Sequence, residues 1–375
     1  MNTQPRFPSA DLSFNPHVAA LPRYNAGMAL AVARRISGRD DIVRLASNEN
    51  PYGCSPKVMD ALASTAFEPW RYADPACTAL RAALGETLEI DPEVIVAGNG
   101  SEELIAAVCR AVLVPGASAV TVAPSFGLHE IESLAAGARV SKVPMTPTFG
   151  FDLAALETAL AGEPSLLFQS SPWNPVGPAL DRSGLERLIA ATRPGTLFVL
   201  DEAYLEFAGP EAPNGLSILR AATVPFVVLR TLSKAYGLAG LRVGYAVCSD
   251  AEIARVVAAA KPPFNVNGAA QIAALAALED DAWMRDAVAR ICAERDRVAA
   301  GVHALGFRAA PSQTNFLFID IGRDSAAAAA AFLAEGIIVK PWREAGFDTF
   351  LRVTIGRPDE NDRVLNALPM VASRS

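Results

Sequence analysis

The strongest chemical signal in this chain is a lysine at the head of a glycine-rich run. The stretch Thr231-Leu-Ser-Lys-Ala-Tyr-Gly-Leu-Ala-Gly-Leu-Arg-Val-Gly-Tyr245 sets Lys234 between small hydroxyl residues and a permissive turn. Arg242 stands eight residues on, and a strongly apolar run precedes the whole. Lysines ordinarily cover solvated faces. One placed where a bound group can approach the backbone suits Schiff-base chemistry with a phosphorylated carbonyl cofactor.

Such a cofactor makes further demands, and the chain offers residues for each. A phosphate needs backbone donors and a cation. Gly98-Asn-Gly-Ser-Glu-Glu103 follows an apolar run and opens a helical pattern, so Gly100, Ser101 and Glu102 stand where helix N-terminal N–H groups collect an anion. The plainer alternative is an ordinary N-cap. Arg242 supplies a planar fork suited to phosphate, although an arginine ahead of a strand is most often surface. A pyridine ring needs a carboxylate at its nitrogen. Asp201 ends the run Leu197-Phe-Val-Leu200, where a buried carboxylate is costly unless paired. It also fits a helix N-cap. Tyr204 follows by three residues and offers a phenol. His129 is placed to hold Asp201 from behind, or is a core histidine. Phe126 is a candidate to stack on the ring or simply a core aromatic. Asn174-Pro175 makes a rigid turn with one amide to offer. Arg352 lies inside an apolar strand pattern, so it either snorkels or is aimed at an anion.

These residues need a scaffold that brings them to one edge. Apolar runs at Val94–Ala97, Ala119–Val122, Val140–Val143, Leu166–Gln169, Leu197–Leu200, Phe226–Leu229 and Val243–Val247 alternate with helical patterns such as Ser101–Leu113 and Ser183–Ala191. This pattern predicts an α/β fold with a buried, mostly parallel seven-stranded sheet between helices. The polar motifs fall just after these runs, at the strand ends where open α/β sheets bind ligands. After about residue 265 the pattern changes. A helix closed by Gly306 leads to strands at Phe316–Ile319, Ile337–Val339 and Leu351–Ile355, which predicts a smaller α+β domain. A helix near Ala29–Ile36 is expected to pack on it. The domain reading is 45–265 for the large part, with 1–44 and 266–375 forming the small one.

Bulk properties exclude several classes. The 375 residues are 51% hydrophobic and 19% charged, which supports a large core. Net charge is −7 without a basic stripe, which argues against nucleic acid. Five scattered cysteines and three histidines suit neither a disulfide frame nor a zinc site, so a reduced, cytoplasmic setting is expected. No secretion signal and no membrane-spanning run is read.

Taken in order, these motifs resemble the fold-type I pyridoxal-phosphate enzymes of the class I/II aminotransferases, and within them the histidinol-phosphate aminotransferase subfamily most. The matching stretches are Leu45-Ala-Ser-Asn-Glu-Asn-Pro-Tyr-Gly53, Arg71-Tyr-Ala-Asp74, Gly98–Glu103, Asp201-Glu-Ala-Tyr-Leu-Glu-Phe207, the Lys234 segment, Thr314-Asn-Phe-Leu-Phe318 and Leu351-Arg-Val-Thr-Ile-Gly356. The resemblance implies pyridoxal 5'-phosphate as cofactor, bound covalently by Lys234, with Asp201 at the ring nitrogen. It implies Asn174 and Tyr204 at the phenolic oxygen and Phe126 on the ring face. Gly100, Ser101, Glu102, Thr231, Ser233 and Arg242 would surround the phosphate. Arg352 would bind the substrate's carboxylate or equivalent anion, with Tyr24 and Lys340 lining the distal pocket. Tyr72 would reach the cofactor of a second subunit, implying a homodimer with shared sites. The implied reaction passes an amino group from a small-molecule donor, L-histidinol phosphate, to a keto acid such as 2-oxoglutarate. An aromatic aminotransferase, or a threonine-phosphate decarboxylase on the same fold, is the alternative. Two departures bear on the substrate. Trp173 occupies the turn Ser171-Pro-Trp-Asn-Pro-Val-Gly177 and is expected to reshape the pocket rim. Lys340 stands where an arginine is frequent.

Overall fold

The computed structural model describes residues 13–22, 27–64 and 68–373. Its strands, in chain order, are β1 (Val43–Leu45), β2 (Ile95–Gly98), β3 (Ser118–Ala123), β4 (Arg139–Pro144), β5 (Leu166–Ser170), β6 (Leu197–Asp201), β7 (Phe226–Thr231), β8 (Gly244–Cys248), β9 (Arg308–Ala309), β10 (Phe316–Asp320), β11 (Ile337–Pro341) and β12 (Phe350–Thr354).

Seven of them form one sheet in the order β2-β8-β7-β6-β5-β3-β4. β4, β3, β5, β6 and β7 run parallel, and β8 runs antiparallel to both β7 and β2. The parallel strands β5, β6 and β7 are buried along their whole length. That is why their sequences read as continuous apolar runs without alternation. Helices cover both faces. On one side Gly100–Val112 buries Leu104, Ile105 and Val108 against Val96, Phe168 and Val227. On the other, Arg182–Ala191 and Leu153–Leu160 join a core with Phe198, Trp173 and Val228.

The second sheet has the order β1-β11-β12-β10-β9. β1 comes from the N-terminal part of the chain and pairs parallel with β11, Val43 opposite Ile337. The helices Asp281–Ala304, Ser325–Ala334 and Pro358–Ser373 complete this smaller unit around Phe316, Phe332 and Leu351. Helix Leu30–Ser37 packs on it as expected, through Ala33 against Leu333 and Ile338. Two segments grouped with the small domain lie beside the large sheet instead. Helix Pro16–Ala19 sits against Gly127–Ala135. Helix Gly268–Leu278 sits against Pro56–Ser64 and Thr78–Leu88, because its Ala270, Ala273, Ala274 and Ala277 leave no bulk to hold neighbours off. Among the described residues no helix is long and apolar enough to cross a membrane, and no group of His, Cys, Asp or Glu is arranged to hold a metal.

Candidate active site

The carboxyl ends of the parallel strands converge on one cavity of about 610 Å³, within the range usual for small-molecule sites. Phe126 follows β3, Asn174 follows β5, Asp201 ends β6, and Thr231 ends β7 with Lys234 three residues beyond. Helix Gly100–Val112 points its N-terminus at the same place from beyond β2. The small sheet closes the other side with Lys340 on β11 and Arg352 on β12, adjacent in register.

Asp201 is buried and held from two sides. His129 Nε2 lies 3.1 Å from Oδ2, and the Ala203 N–H donates to Oδ1 at 3.1 Å. Nδ1 of His129 has no hydrogen-bond partner among the described residues, and Nε2 is the ring nitrogen that faces the carboxylate. His129 in turn stacks flat on Phe168 at 4.6 Å and meets Phe126 edge-on. The carboxylate is thus fixed in a buried place with an imidazole ring behind it and the cavity in front. That suits a cationic ring nitrogen.

Lys234 Nζ donates to the Ser47 carbonyl at 3.1 Å. Burial, then Arg352 and Arg242, push its pKa down to about 8, so its amine sheds a proton far more readily than an ordinary lysine. The Lys234 turn lies so close to the Ser47–Gly53 segment that a Cβ on Gly237, at φ +72°, would run into the Gly53 carbonyl. Thr231 Oγ1 donates to Ser233 Oγ at 2.9 Å and both line the cavity. Arg242 takes the left-handed conformation (φ +60°) and brings its guanidinium to the helix N-terminus, 3.3 Å from Glu102. Gly100 makes room for it: a Cβ there would sit 2.6 Å from Arg242 Nη2. Backbone donors, two hydroxyls and a guanidinium together form a cradle for phosphate.

Arg352 does not snorkel. It is buried, donating from Nη1 to Asn174 Oδ1 at 2.7 Å and from Nη2 to the Ala46 carbonyl at 2.8 Å. With Oδ1 of Asn174 so engaged, its Nδ2 is the end left for the cavity. Tyr204 is buried edge-on to Phe316, and its Oη receives the Asn48 amide at 2.7 Å. Lys340 lines the distal end, and burial, then Arg352, lower its pKa to about 8.

Ser101, Glu102, Phe126, Asn174, Asp201, Tyr204, Thr231, Ser233, Lys234, Arg242, Lys340 and Arg352 therefore share one cavity, with Gly100 directly behind Arg242. Tyr72 does not line it. It is exposed and stacks on Phe264 at 4.5 Å. Tyr24 lies outside the described residues. Trp173 is not on the rim: it is fully buried, stacks on Phe151, and donates from Nε1 to the Pro124 carbonyl at 2.8 Å. The indole is too large and apolar to stay at a wet edge once a partner for its N–H is within reach. It ties the turn carrying Asn174 to the loop carrying Phe126.

Several lining residues were not singled out from sequence. Ser47 and Asn48 belong to the Ser-Asn-Glu-Asn-Pro stretch, whose side-chain bonds leave no local pattern. Lys142 on β4 bridges Glu130 and Glu344, each at 3.0 Å, and Glu344 also accepts from the Ser125 N–H at 3.1 Å. These partners are far apart in the chain, so spacing carries no hint of them.

A family model for class I and II aminotransferases matches residues 40–368. The chain belongs to that family. Among curated relatives, histidinol-phosphate aminotransferase 3 of Rhizobium meliloti is 41% identical, covering 94% of this chain and 96% of its own. Histidinol-phosphate aminotransferase 2 of Caulobacter vibrioides is 42% identical, covering 93% and 92%. The solved histidinol-phosphate aminotransferase of Sinorhizobium meliloti, in complex with pyridoxal 5'-phosphate, superposes with a TM-score of 0.88 at 30% identity over 97% of this chain and 98% of that one. For an aminotransferase, a cavity with a low-pKa lysine, a buried carboxylate and a phosphate cradle is the expected equipment.

Proposed function

We propose that this aminotransferase transfers the amino group of L-histidinol phosphate to 2-oxoglutarate, giving imidazole acetol phosphate and L-glutamate, with pyridoxal 5'-phosphate as cofactor. The observation that carries the reading is the line of cations along one cavity: Lys234 at the reacting end, Arg352 next to it and Lys340 at the distal end. A donor with an amine at one end and a phosphate at the other fits that line. The curated relatives at 41% and 42% identity support the same donor.

When bound, the cofactor supplies an electron sink for the bond that breaks at the donor's α-carbon. Asp201, held by His129, would face the ring nitrogen and favour its charged form. Asn174 Nδ2 and Tyr204 Oη hold the phenolic oxygen, and Phe126 covers a ring face. Arg242, Thr231, Ser233 and the backbone of Gly100–Glu102 hold the phosphate, with the Glu102 side chain turned to Arg242. Lys234 would hold the cofactor covalently, and its amine, when free, would serve as the proton carrier at the reacting end. Its lowered pKa suits both tasks. Arg352 holds the acceptor's carboxylate or the donor's anion, and Tyr24 and Lys340 shape the distal end. On this reading residues 45–265 are the cofactor-binding part, and residues 1–44 with 266–375 the smaller part, apart from helices Pro16–Ala19 and Gly268–Leu278, which lie beside the large sheet.

We further propose a cytoplasmic homodimer. Trp70, Tyr72 and Phe264 expose aromatic surface, at 74%, 84% and 41%. Such a patch invites a partner surface. A second copy would bury it and bring Tyr72 to the partner's phosphate cradle.

A donor panel tests the substrate. Protein loaded with cofactor and mixed with donor alone should lose its visible absorbance fastest with histidinol phosphate. Faster loss with phenylalanine points to an aromatic aminotransferase. Carbon dioxide release from threonine phosphate without keto product points to the decarboxylase.

A further inference from the structure

Three consecutive residues, Ala46, Ser47 and Asn48, each hold one of the groups assigned above: Arg352, Lys234 and Tyr204. The first two do so with backbone carbonyls, which any side chain would leave in place. The third acts through its side chain. Asn48 is 1% exposed and sits in the left-handed region at φ +56°, where few residues other than glycine, asparagine and aspartate are comfortable. Its surroundings fix which way its amide points. The Asn48 N–H donates to Thr354 Oγ1 at 2.9 Å, and the Thr354 hydroxyl donates back to Asn48 Oδ1 at 3.0 Å. The Asn48 carbonyl accepts from Asn315 Nδ2 at 3.0 Å. Oδ1 is therefore taken, and Nδ2 is the atom that faces Tyr204 Oη at 2.7 Å. A phenol oxygen that accepts from an amide does not donate to it. Its own hydrogen must point elsewhere, and both Asn48 and Tyr204 line the cavity.

We propose that Asn48 is a positioning residue that forces Tyr204 to donate its hydroxyl hydrogen to the cofactor's phenolic oxygen. The proposal rests on the cofactor reading given above. A phenolic oxygen that receives this hydrogen is a weaker base, so the lysine-bound cofactor gives up its own proton at lower pH. Without Asn48, the amide no longer bars the Tyr204 hydrogen from that side, and the cofactor would hold its proton to higher pH. Lys234, Arg242, Arg352, Asp201, Glu49, Glu102, Glu130, Lys142, Lys340, Arg343 and Glu344 are the charged groups lining the same cavity. They are unchanged in the variants below.

The test is a pH titration of the visible absorbance of cofactor-loaded protein, for wild type, Asn48→Gly, Tyr204→Phe, the double variant and Thr354→Val. Glycine keeps the left-handed backbone and adds no charge. Both single changes at 48 and 204 should raise the midpoint, Asn48→Gly by about one unit, the size of one hydrogen bond to a charged acceptor. The double variant should move no further than Tyr204→Phe alone, because Asn48 acts only through the phenol. Thr354→Val, which releases the amide, should shift the midpoint the same way by less, and it carries the test if the glycine variant does not fold. An unmoved midpoint in the folded variants, or a double shift equal to the sum of the singles, overturns the proposal while the cofactor reading stands. A wild-type protein that takes up no visible band overturns that reading and this proposal together.

Discussion

The two ends of the cavity are built on different plans. At the cofactor end, Asp201, Thr231, Lys234 and the Gly98–Glu103 turn follow directly from strands of one sheet, and Asp201 and Thr231 are held by neighbours in that frame. At the distal end, Lys340, Trp342 and Glu344 come from the small unit, and Glu344 meets Ser125 and Lys142 of the large one through partly exposed contacts. A buried frame made by one sheet has one geometry. A wall joined by partly exposed ion pairs is weakly held, since each such contact contributes little. On the proposed function, the first end sets the reaction and the second what is admitted to it.

The comparison breaks most sharply at Lys234. Lys234→Ala should remove the visible absorbance and lower turnover by roughly 10³-fold or more, the scale for a lost proton carrier. Near-native turnover would mean that the rigid end is not the reacting end. Arg352→Lys comes next, because Arg352 belongs to both ends. It keeps the charge but loses the fork that reaches both Asn174 and Ala46. KM for donor and acceptor should rise about 10- to 100-fold, as expected for charge-assisted bonds, as steady-state kinetics would record. A rise for only one substrate would assign Arg352 to that one alone.

The distal end should answer to pH. Burial and Arg352 bring Lys340 to about 8, so its charge is present below that value and lost as pH rises through it. KM for a phosphorylated donor should therefore climb above pH 8, by up to about tenfold per unit. Lys340→Met should raise KM at pH 7 and flatten the climb. A donor without phosphate should show neither effect. The smallest effect belongs to Glu344→Gln, which weakens the contacts to Lys142 and Ser125. KM for the donor should change by about threefold, in line with a partly exposed ion pair, while uptake of cofactor stays as in wild type. A change in cofactor uptake would show that the two ends are coupled.

The same contrast explains what could be read from the chain. All seven strands of the large sheet were legible, most plainly β5, β6 and β7, which are buried throughout and read as apolar runs. The residues just after them stood out, since a charge or glycine after such a run is conspicuous. Asp201 and Lys234 are of this kind. The order of the strands, and the antiparallel β8, were not legible, because pairing partners lie far apart in sequence. Neither was β1, three residues long and paired with β11 from the other end of the chain. Asn48 lay inside a quoted motif, yet its left-handed backbone and its grip on Tyr204 depend on Thr354, 306 residues away. Trp173 reads as a change at the rim because it departs from the family's turn beside Asn174. The Pro124 carbonyl that draws it inward comes from another strand's loop.

The central claim is that Lys234 carries the cofactor in this cavity. The most direct measurement is borohydride reduction of the cofactor-loaded protein, followed by proteolysis and mass mapping of the pyridoxyl label. A single label on Lys234 is expected. A label on another lysine, or none after reduction, would contradict the account.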